Sequence, residues 1–231
     1  MKSRISYTFF SIFIVAGMCS CDAEPGGKTE DALKGFQKLN DNVKTNLFSS
    51  KKSPELADKD LTPESKYREN SYDTDRPTSD TTDNWRLEVR GNVRFPGYYS
   101  LQQIKTLGLR VENAKHVCVE GWSQNVKWGG TPLYKFLDWI GADPKAGFVY
   151  VECSDKYYTS YDIESARHPQ TLLCYEAYNK PLTLERGAPC RIVMPTKLGY
   201  KSAKWITKLV VTTKKPGGYW EDQGYDWHAG L

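Results

Sequence analysis

A chain of 231 residues, 39% hydrophobic and 26% charged, can bury one sizeable core and carry an extension, but two full domains are beyond it. The formal net charge is +4, with the basic residues spread along the chain instead of forming a block, which sets nucleic-acid binding aside as a function class. No internal repeat is present.

Lys2 and Arg4 precede an apolar run from Ile5 through Val15 and the small residues Ala16-Gly17. Residues 1–20 therefore read as a secretory signal peptide. The apolar run is too short for a comfortable membrane span, which needs about 20 residues. Met18-Cys19-Ser20-Cys21 resembles a bacterial lipobox, and Cys21 is the expected lipidation site because the small Ser20 precedes it. A cleaved soluble signal is the alternative. Residues 21–84 are rich in Lys, Asp, Ser, Thr and Pro and are expected to form a tether and N-terminal extension. Within them, the spacing of Leu33, Phe36, Leu39, Val43 and Leu47 allows one amphipathic helix near residues 30–48.

The folded domain is expected over 85–231. It opens at Trp85 to Gly91, where apolar and polar residues alternate with the period of a half-buried strand. Ser100-Leu101-Gln102-Gln103 is a capping-box pattern for a short helix. Ala114 to Glu120 alternates again, and the end of that strand delivers Cys118, Glu120 and Trp122 into a loop opened by Gly121. Thr131-Pro132 predicts a helix start by N-cap and first-turn proline; Leu133, Phe136, Leu137 and Ile140 form its buried face, and Gly141 stops it. Strands are predicted over Phe148 to Cys153, Thr171 to Tyr175, Arg191 to Pro195 and Ile206 to Thr212. Many strands with few, short helices argue for an α+β fold with mixed sheets, not a βαβ repeat, and no Gly-rich dinucleotide fingerprint is present.

Beyond the signal, Cys118, Cys153, Cys174 and Cys190 form no C-x-x-C pair, so spacing supports neither a zinc site nor a thioredoxin-type pair. An exported protein could pair some of them, yet Cys153, Cys174 and Cys190 lie in apolar strand patterns that suit buried thiols. His116, His168 and His228 are scattered; His116, two residues before Cys118, would share its face of a strand. Lys197, Lys201 and Lys204 cluster around Gly199 and Ser202, close after Arg191, which suits either a phosphate or a solvated face. The aromatic stretch from Gly217 to Trp227 could cover the domain or form a platform for sugar rings.

Three ordered motifs decide between these readings. Cys118-Val119-Glu120-Gly121-Trp122-Ser123, Gly187-Ala188-Pro189-Cys190-Arg191 and Gly199-Tyr200-Lys201-Ser202-Ala203-Lys204-Trp205 resemble the molybdopterin-binding domain of the sulfite oxidase superfamily. The likeness runs from about Trp85 onward and is nearest the bacterial branch that includes the periplasmic methionine-sulfoxide reductase catalytic subunits. Tyr158-Thr159-Ser160, His168-Pro169-Gln170-Thr171-Leu172 and Gly-Gly-Tyr-Trp-Glu-Asp resemble family positions too.

The resemblance implies a sulfite-oxidase-type fold holding one molybdenum-molybdopterin per chain. It places Cys118 as the metal-ligating thiolate, beside the two sulfurs of the pterin's dithiolene. Arg191, Lys201, Ser202, Ala203 and Lys204 fall at positions that hold the pterin and its phosphate, with Cys153 near the cofactor and Asn70 at an upstream pterin contact. Glu120 and Trp122 would line the catalytic pocket. Vertebrate-type sulfite oxidases place an anion-binding arginine soon after the cysteine, whereas Val-Glu-Gly-Trp stands here, and a carboxylate beside an anionic substrate is unfavourable.

The expected function is an exported oxidoreductase performing two-electron oxygen-atom transfer, reducing an S- or N-oxide. Sulfite dehydrogenase and a non-catalytic surface lipoprotein binding a glycan or protein partner are the alternatives. No haem-attachment C-x-x-C-H motif is present, so a separate redox partner, such as a membrane cytochrome, is expected. Further expectations are a small-molecule oxo-transfer substrate, a lipid anchor at the periplasmic or cell-surface membrane, and a monomer, since no immunoglobulin-like dimerisation domain follows. Lys2-Ser3-Arg4 lacks the arginine pair that usually exports such enzymes already loaded with cofactor.

Overall fold

In a computed structural model of the chain, the structure describes residues 52–72 and 84–231, together with Gly35, Leu39 and Pro77. The chain divides into Met1–Leu39 and Asn40–Leu231. In the first unit only Gly35 and Leu39 are described, and both are helical. The signal peptide, Cys21 and the rest of the helix expected at 30–48 lie outside the described residues.

The second unit is built from two sheets. Strands β1 (Arg86–Gly91), β2 (Gly97–Ser100), β5 (Phe148–Cys153), β6 (Tyr158–Asp162) and β10 (Ile206–Thr212) form one, in the order β2-β1-β10-β5-β6. Strands β3 (Arg110–Val117), β4 (Ser123–Pro132), β7 (Leu172–Ala177) and β8 (Lys180–Pro181) form the other in that order, and β9 (Arg191–Val193) pairs with β7. All pairings are antiparallel except β1 with β10. Among the described residues three short α-helices accompany them: α1 (Leu101–Lys105), α2 (Leu133–Trp139) and α3 (Ile163–Arg167). This is the α+β class that the strand-rich pattern predicts.

Local chemistry explains the elements that the sequence announces. Leu87 and Val89 on β1 and Leu209 and Val211 on β10 are fully buried, and Val89 pairs with Leu209 in register. The capping box forms: the Gln103 amide donates to Ser100 Oγ at 3.2 Å while the Ser100 amide donates to Gln103 Oε1 at 2.8 Å. On α2, Leu133, Phe136 and Leu137 recur at helical spacing and reach the main core. Its expected N-cap is different, however. Pro132 takes that place without a side-chain bond, because the Thr131 hydroxyl donates to the Ile104 carbonyl at 3.0 Å.

Several boundaries also move. β3 ends at Val117, so Cys118 starts the loop instead of belonging to the strand; β7 runs on to Ala177, and β9 stops at Val193. Four strands escape the sequence reading, the short β2 and β8 together with β4 and β6. In β4, Gln124, Val126 and Trp128 point inward, but the strand carries Gly129-Gly130, which reads as a breaker. A Cβ on Gly130 would lie 2.4 Å from the Leu173 carbonyl oxygen, so the close approach of β7 requires glycine there.

The largest correction concerns residues 52–72, which belong to the domain and not to a tether. The Leu56 amide donates to the Asn113 carbonyl at 3.2 Å and the Thr62 amide to the Asn125 carbonyl at 2.9 Å. Arg186, itself buried, pairs with Glu64 at 2.8 Å and Glu69 at 3.4 Å and stacks 4.6 Å from the Tyr67 ring. Polar composition conceals this segment because its attachment is made of hydrogen bonds and ion pairs more than of apolar burial.

Replacing Gly130 by Ala is expected to destabilise the domain by about 1–3 kcal/mol, the usual cost of overpacking against backbone that cannot yield. Equilibrium urea unfolding checks this, and an unchanged midpoint would contradict the packing described for β4 and β7.

Candidate active site

The β3–β4 pairing runs from Arg110↔Gly130 to Val117↔Ser123, leaving Cys118–Trp122 as the hairpin loop. The loop closes on itself through Cys118 N–H to the Trp122 carbonyl at 2.9 Å and Gly121 N–H to the Cys118 carbonyl at 3.1 Å. Gly121 has φ +88°, a conformation that favours glycine. The alternation that buries Glu112 and Ala114 and half-buries His116 continues to Cys118, which is 8% exposed. A cleft of about 240 Å³ opens over this thiol.

One wall of the cleft comes from residues 67–72. Gln124, buried opposite His116 in the hairpin register, accepts from the Arg68 amide at 2.8 Å and donates to the Arg68 carbonyl at 3.2 Å. This bracket sets the next residues in place. Asn70 Nδ2 lies 3.8 Å from Cys118 Sγ and 3.4 Å from Glu120 Oε1. Glu120 also accepts from Trp122 Nε1 at 2.8 Å, and Arg68 approaches it at 3.6 Å while stacking 4.7 Å from the Trp122 ring. The Trp122 and Asn70 donors, with Arg68 behind them, hold the Glu120 carboxyl below its ordinary range, so it is ionised at neutral pH.

Another part of the lining is cationic. Arg191 is buried, with Nη1 donating to the Arg186 carbonyl at 3.0 Å and Nη2 to the Ser202 carbonyl at 2.9 Å, and its guanidinium lies 4.9 Å from the Trp128 ring. Ser202 Oγ accepts from the Met194 amide at 3.3 Å, and Lys204 Nζ donates to the Glu185 carbonyl at 2.9 Å. Gly187, at φ +100°, permits this arrangement: a Cβ there would lie 3.0 Å from Lys204 Cβ and 3.2 Å from Arg191 Cβ. Burial first, and then Arg191 and Lys204, push His116 down to about 3, so its imidazole is neutral. Gly199 approaches that ring so closely that a Cβ would meet His116 Nε2 at 2.8 Å.

Of the residues singled out in the sequence, Cys118, Glu120, Trp122, Asn70, Arg191, Ser202, Ala203 and Lys204 line this one cleft. Lys201 and Cys153 do not. Lys201 turns away into a buried ion pair with Glu221, and Cys153 is a buried free thiol at the end of β5 whose burial pushes its proton affinity up. Cys174 and Cys190 are likewise buried and free. Sequence reasoning missed Arg68, Tyr72 and Gln124; the signal was Tyr67 and Tyr72, two aromatic residues in an otherwise polar stretch. The aromatic segment covers the domain, with Tyr219 and Trp220 packed against the core, and adds Trp220 and Tyr225 to the cleft wall.

The sequence pattern of the oxidoreductase molybdopterin-binding domain matches residues 74–220. The chain belongs to that family. A protein of Azospira oryzae, provisionally named protein-methionine-sulfoxide reductase subunit YedZ1, is 36% identical over 225 residues, which cover 97% of this chain and 85% of that protein. The protein-methionine-sulfoxide reductase catalytic subunit MsrP of Xanthomonas axonopodis pv. citri is 33% identical over 154 residues, 60% of this chain and 48% of that protein. This chain thus spans about half the length of that relative. Among solved structures, the sulfane dehydrogenase SoxCD of Paracoccus pantotrophus has a TM-score of 0.55 at 21% identity, covering 59% of this chain and 40% of that chain. It shares the fold, which is the sulfite-oxidase-type molybdopterin-binding fold. The protein is a molybdopterin-dependent oxidoreductase.

The cleft fits such a cofactor. Among the described residues no three His, Cys, Asp or Glu side chains converge as a metal-ligating group, so a metal at Cys118 would need donors from outside the protein, which a pterin dithiolene supplies. Arg191, Lys204 and the Ser202 hydroxyl provide the cations and polar atoms that a phosphate requires, and the neutral His116 ring suits an uncharged heterocycle.

Changing Gly187 to Ala forces a non-glycine residue into a strained conformation, at a cost of about 1–3 kcal/mol, and displaces Arg191 and Lys204. The expected result is lower pterin content per protein, measured by fluorescence of the oxidised pterin. Full occupancy in the variant would contradict the role given to this wall.

Proposed function

We propose that this chain reduces S- or N-oxides by two-electron oxygen-atom transfer at a molybdenum ligated by Cys118. The observation that carries this reading is the pairing of a nearly buried thiol with an ionised carboxylate and an indole at the mouth above it. When bound, the cofactor supplies the two-electron redox change and accepts the oxygen atom. Reduction of a sulfoxide consumes two electrons and two protons and yields the sulfide and water.

The protein's own residues would select and orient. Cys118 presents its sulfur from a closed loop; Asn70 ties that sulfur to Glu120; Arg191, Ser202 and Lys204 hold the pterin and its phosphate. Glu120 disfavours an anion such as sulfite, whereas a neutral S–O dipole is admitted beside Trp122 and the Asn70 amide. The methionine-sulfoxide reductase names of the Azospira and Xanthomonas relatives support an S-oxide substrate. Electrons would come from a separate redox partner, since the sequence carries no haem-attachment motif. The signal-like residues 1–20 and Cys21 in its lipobox-like setting support export and lipid anchoring outside the cytoplasm.

Protein purified from cells that make the cofactor is expected to contain stoichiometric molybdenum, and Cys118→Ser to lose it while keeping its circular dichroism. With a reduced artificial donor, the wild type should turn over a sulfoxide or an amine N-oxide; activity on sulfite alone would overturn the preference for oxide reduction. A metal-free wild type from such cells would favour a non-catalytic surface protein. In Glu120→Gln, loss of the charge should tighten inhibition by sulfite on the order of tenfold, equivalent to about 1.4 kcal/mol. An unchanged inhibition constant would show that Glu120 does not govern anion access.

A further inference from the structure

Lys201 is 1% exposed, and its ammonium donates to the Ser160 carbonyl at 2.9 Å and to Glu221 Oε1. The same carboxylate oxygen accepts from the Thr159 hydroxyl at 2.7 Å, and the Trp227 ring lies 5.0 Å from the ammonium. Lys197 and Asp162 form a second buried pair at 3.6 Å. A buried cation is unfavourable unless paired, so Lys201 and Glu221 depend on one another.

The pair explains the glycines before it. A Cβ on Gly217 would lie 2.1 Å from Asp222 Oδ1 and one on Gly218 2.2 Å from Glu221 Oε2, so both carboxylates fold back over a backbone without side chains. From there residues 216–231 tie two parts of the domain together. The Tyr219 amide donates to the Tyr158 carbonyl on β6 at 2.8 Å. The Leu198 amide donates to the Ala229 carbonyl at 2.8 Å and the Leu231 amide to the Thr196 carbonyl at 3.1 Å. The segment so held, 196–204, is the one that puts Gly199, Ser202 and Lys204 on the cleft wall, and residues 216–231 add Trp220 and Tyr225 to it.

We propose that Lys201 and Glu221 are positioning residues, whose buried pair clamps residues 216–231 across the cleft and fixes the cofactor-facing segment, so that breaking the pair lets the pterin leave. The inference rests on the reading of this cleft as the seat of the pterin. It assigns Lys201 a place that the charge cluster in the sequence does not suggest, since the ammonium points into the protein and away from the phosphate site.

The test uses holoprotein and two readouts, the release of pterin after gel filtration and cleavage within residues 216–231 by a non-specific protease. The variants are Glu221→Gln and the double change Lys201→Met with Glu221→Leu, which leaves no unpaired charge inside and so tests the clamp even if the single variant fails to fold. Asp138→Asn, which removes the exposed pair with Arg167, is the control. Both clamp variants should release pterin at least tenfold faster than wild type and expose the segment to cleavage, with the control unchanged. Wild-type retention by the double variant despite a cleavable segment would overturn the proposal, as would a segment that stays protected. Wild-type protein that carries no pterin would instead overturn the assignment of the cleft, while the protease readout on that same protein still judges the clamp.

Discussion

The turn that carries Cys118 is closed by only two backbone hydrogen bonds, each worth about 0.5–1.5 kcal/mol net, so the position of the sulfur depends on what holds the hairpin from outside. The β3–β4 ladder sets the direction of the side chain by strand alternation. Gln124 then couples the hairpin to residues 67–72 by gripping the backbone of Arg68 on both its polar groups. Asn70 meets the sulfur two residues beyond that bracket, on a segment that Arg186 also holds through Glu64 and Glu69. The sulfur therefore sits where a segment far upstream in sequence is pinned to one strand pair.

Charge is arranged across the cleft on the same scaffold. The inner wall carries Arg191 and Lys204, which donate to backbone carbonyls, and Glu69 in the same lining feels the charge of both. The mouth carries an ionised Glu120, held by an amide and an indole N–H with Arg68 alongside. An elongated ligand with an anionic end and a metal-binding end would set the first against the cations and the second against the thiol. A small neutral oxide would approach from the side of Glu120 and Trp122.

Much of this was legible because it is local. Alternation marks β1 and β3, β-branched and aromatic residues mark β5 and β10, and the Ser100–Gln103 exchange marks α1, since each depends on residues close in sequence. The Cys118 loop was legible from Gly121 and from strand period. β4 was not, because Gly129-Gly130 answers a constraint imposed by β7, more than forty residues away. Residues 52–72 look like a tether because their hold on the domain is polar, made through Asn113, Asn125, Gln124 and Arg186. Lys201 shows the limit most plainly: beside Lys197 and Lys204 it reads as one of a solvated or phosphate-facing group, and only the third dimension puts Glu221 beside it.

The account stands or falls on one bond, between Cys118 and molybdenum. Molybdenum K-edge X-ray absorption on wild-type and Cys118→Ser holoprotein, the variant reconstituted with cofactor where it loses metal, tests it directly. The wild type should show one more sulfur scatterer around the metal than the variant. The same number of sulfurs in both would mean that the metal is held without this thiolate, and would contradict the site described here.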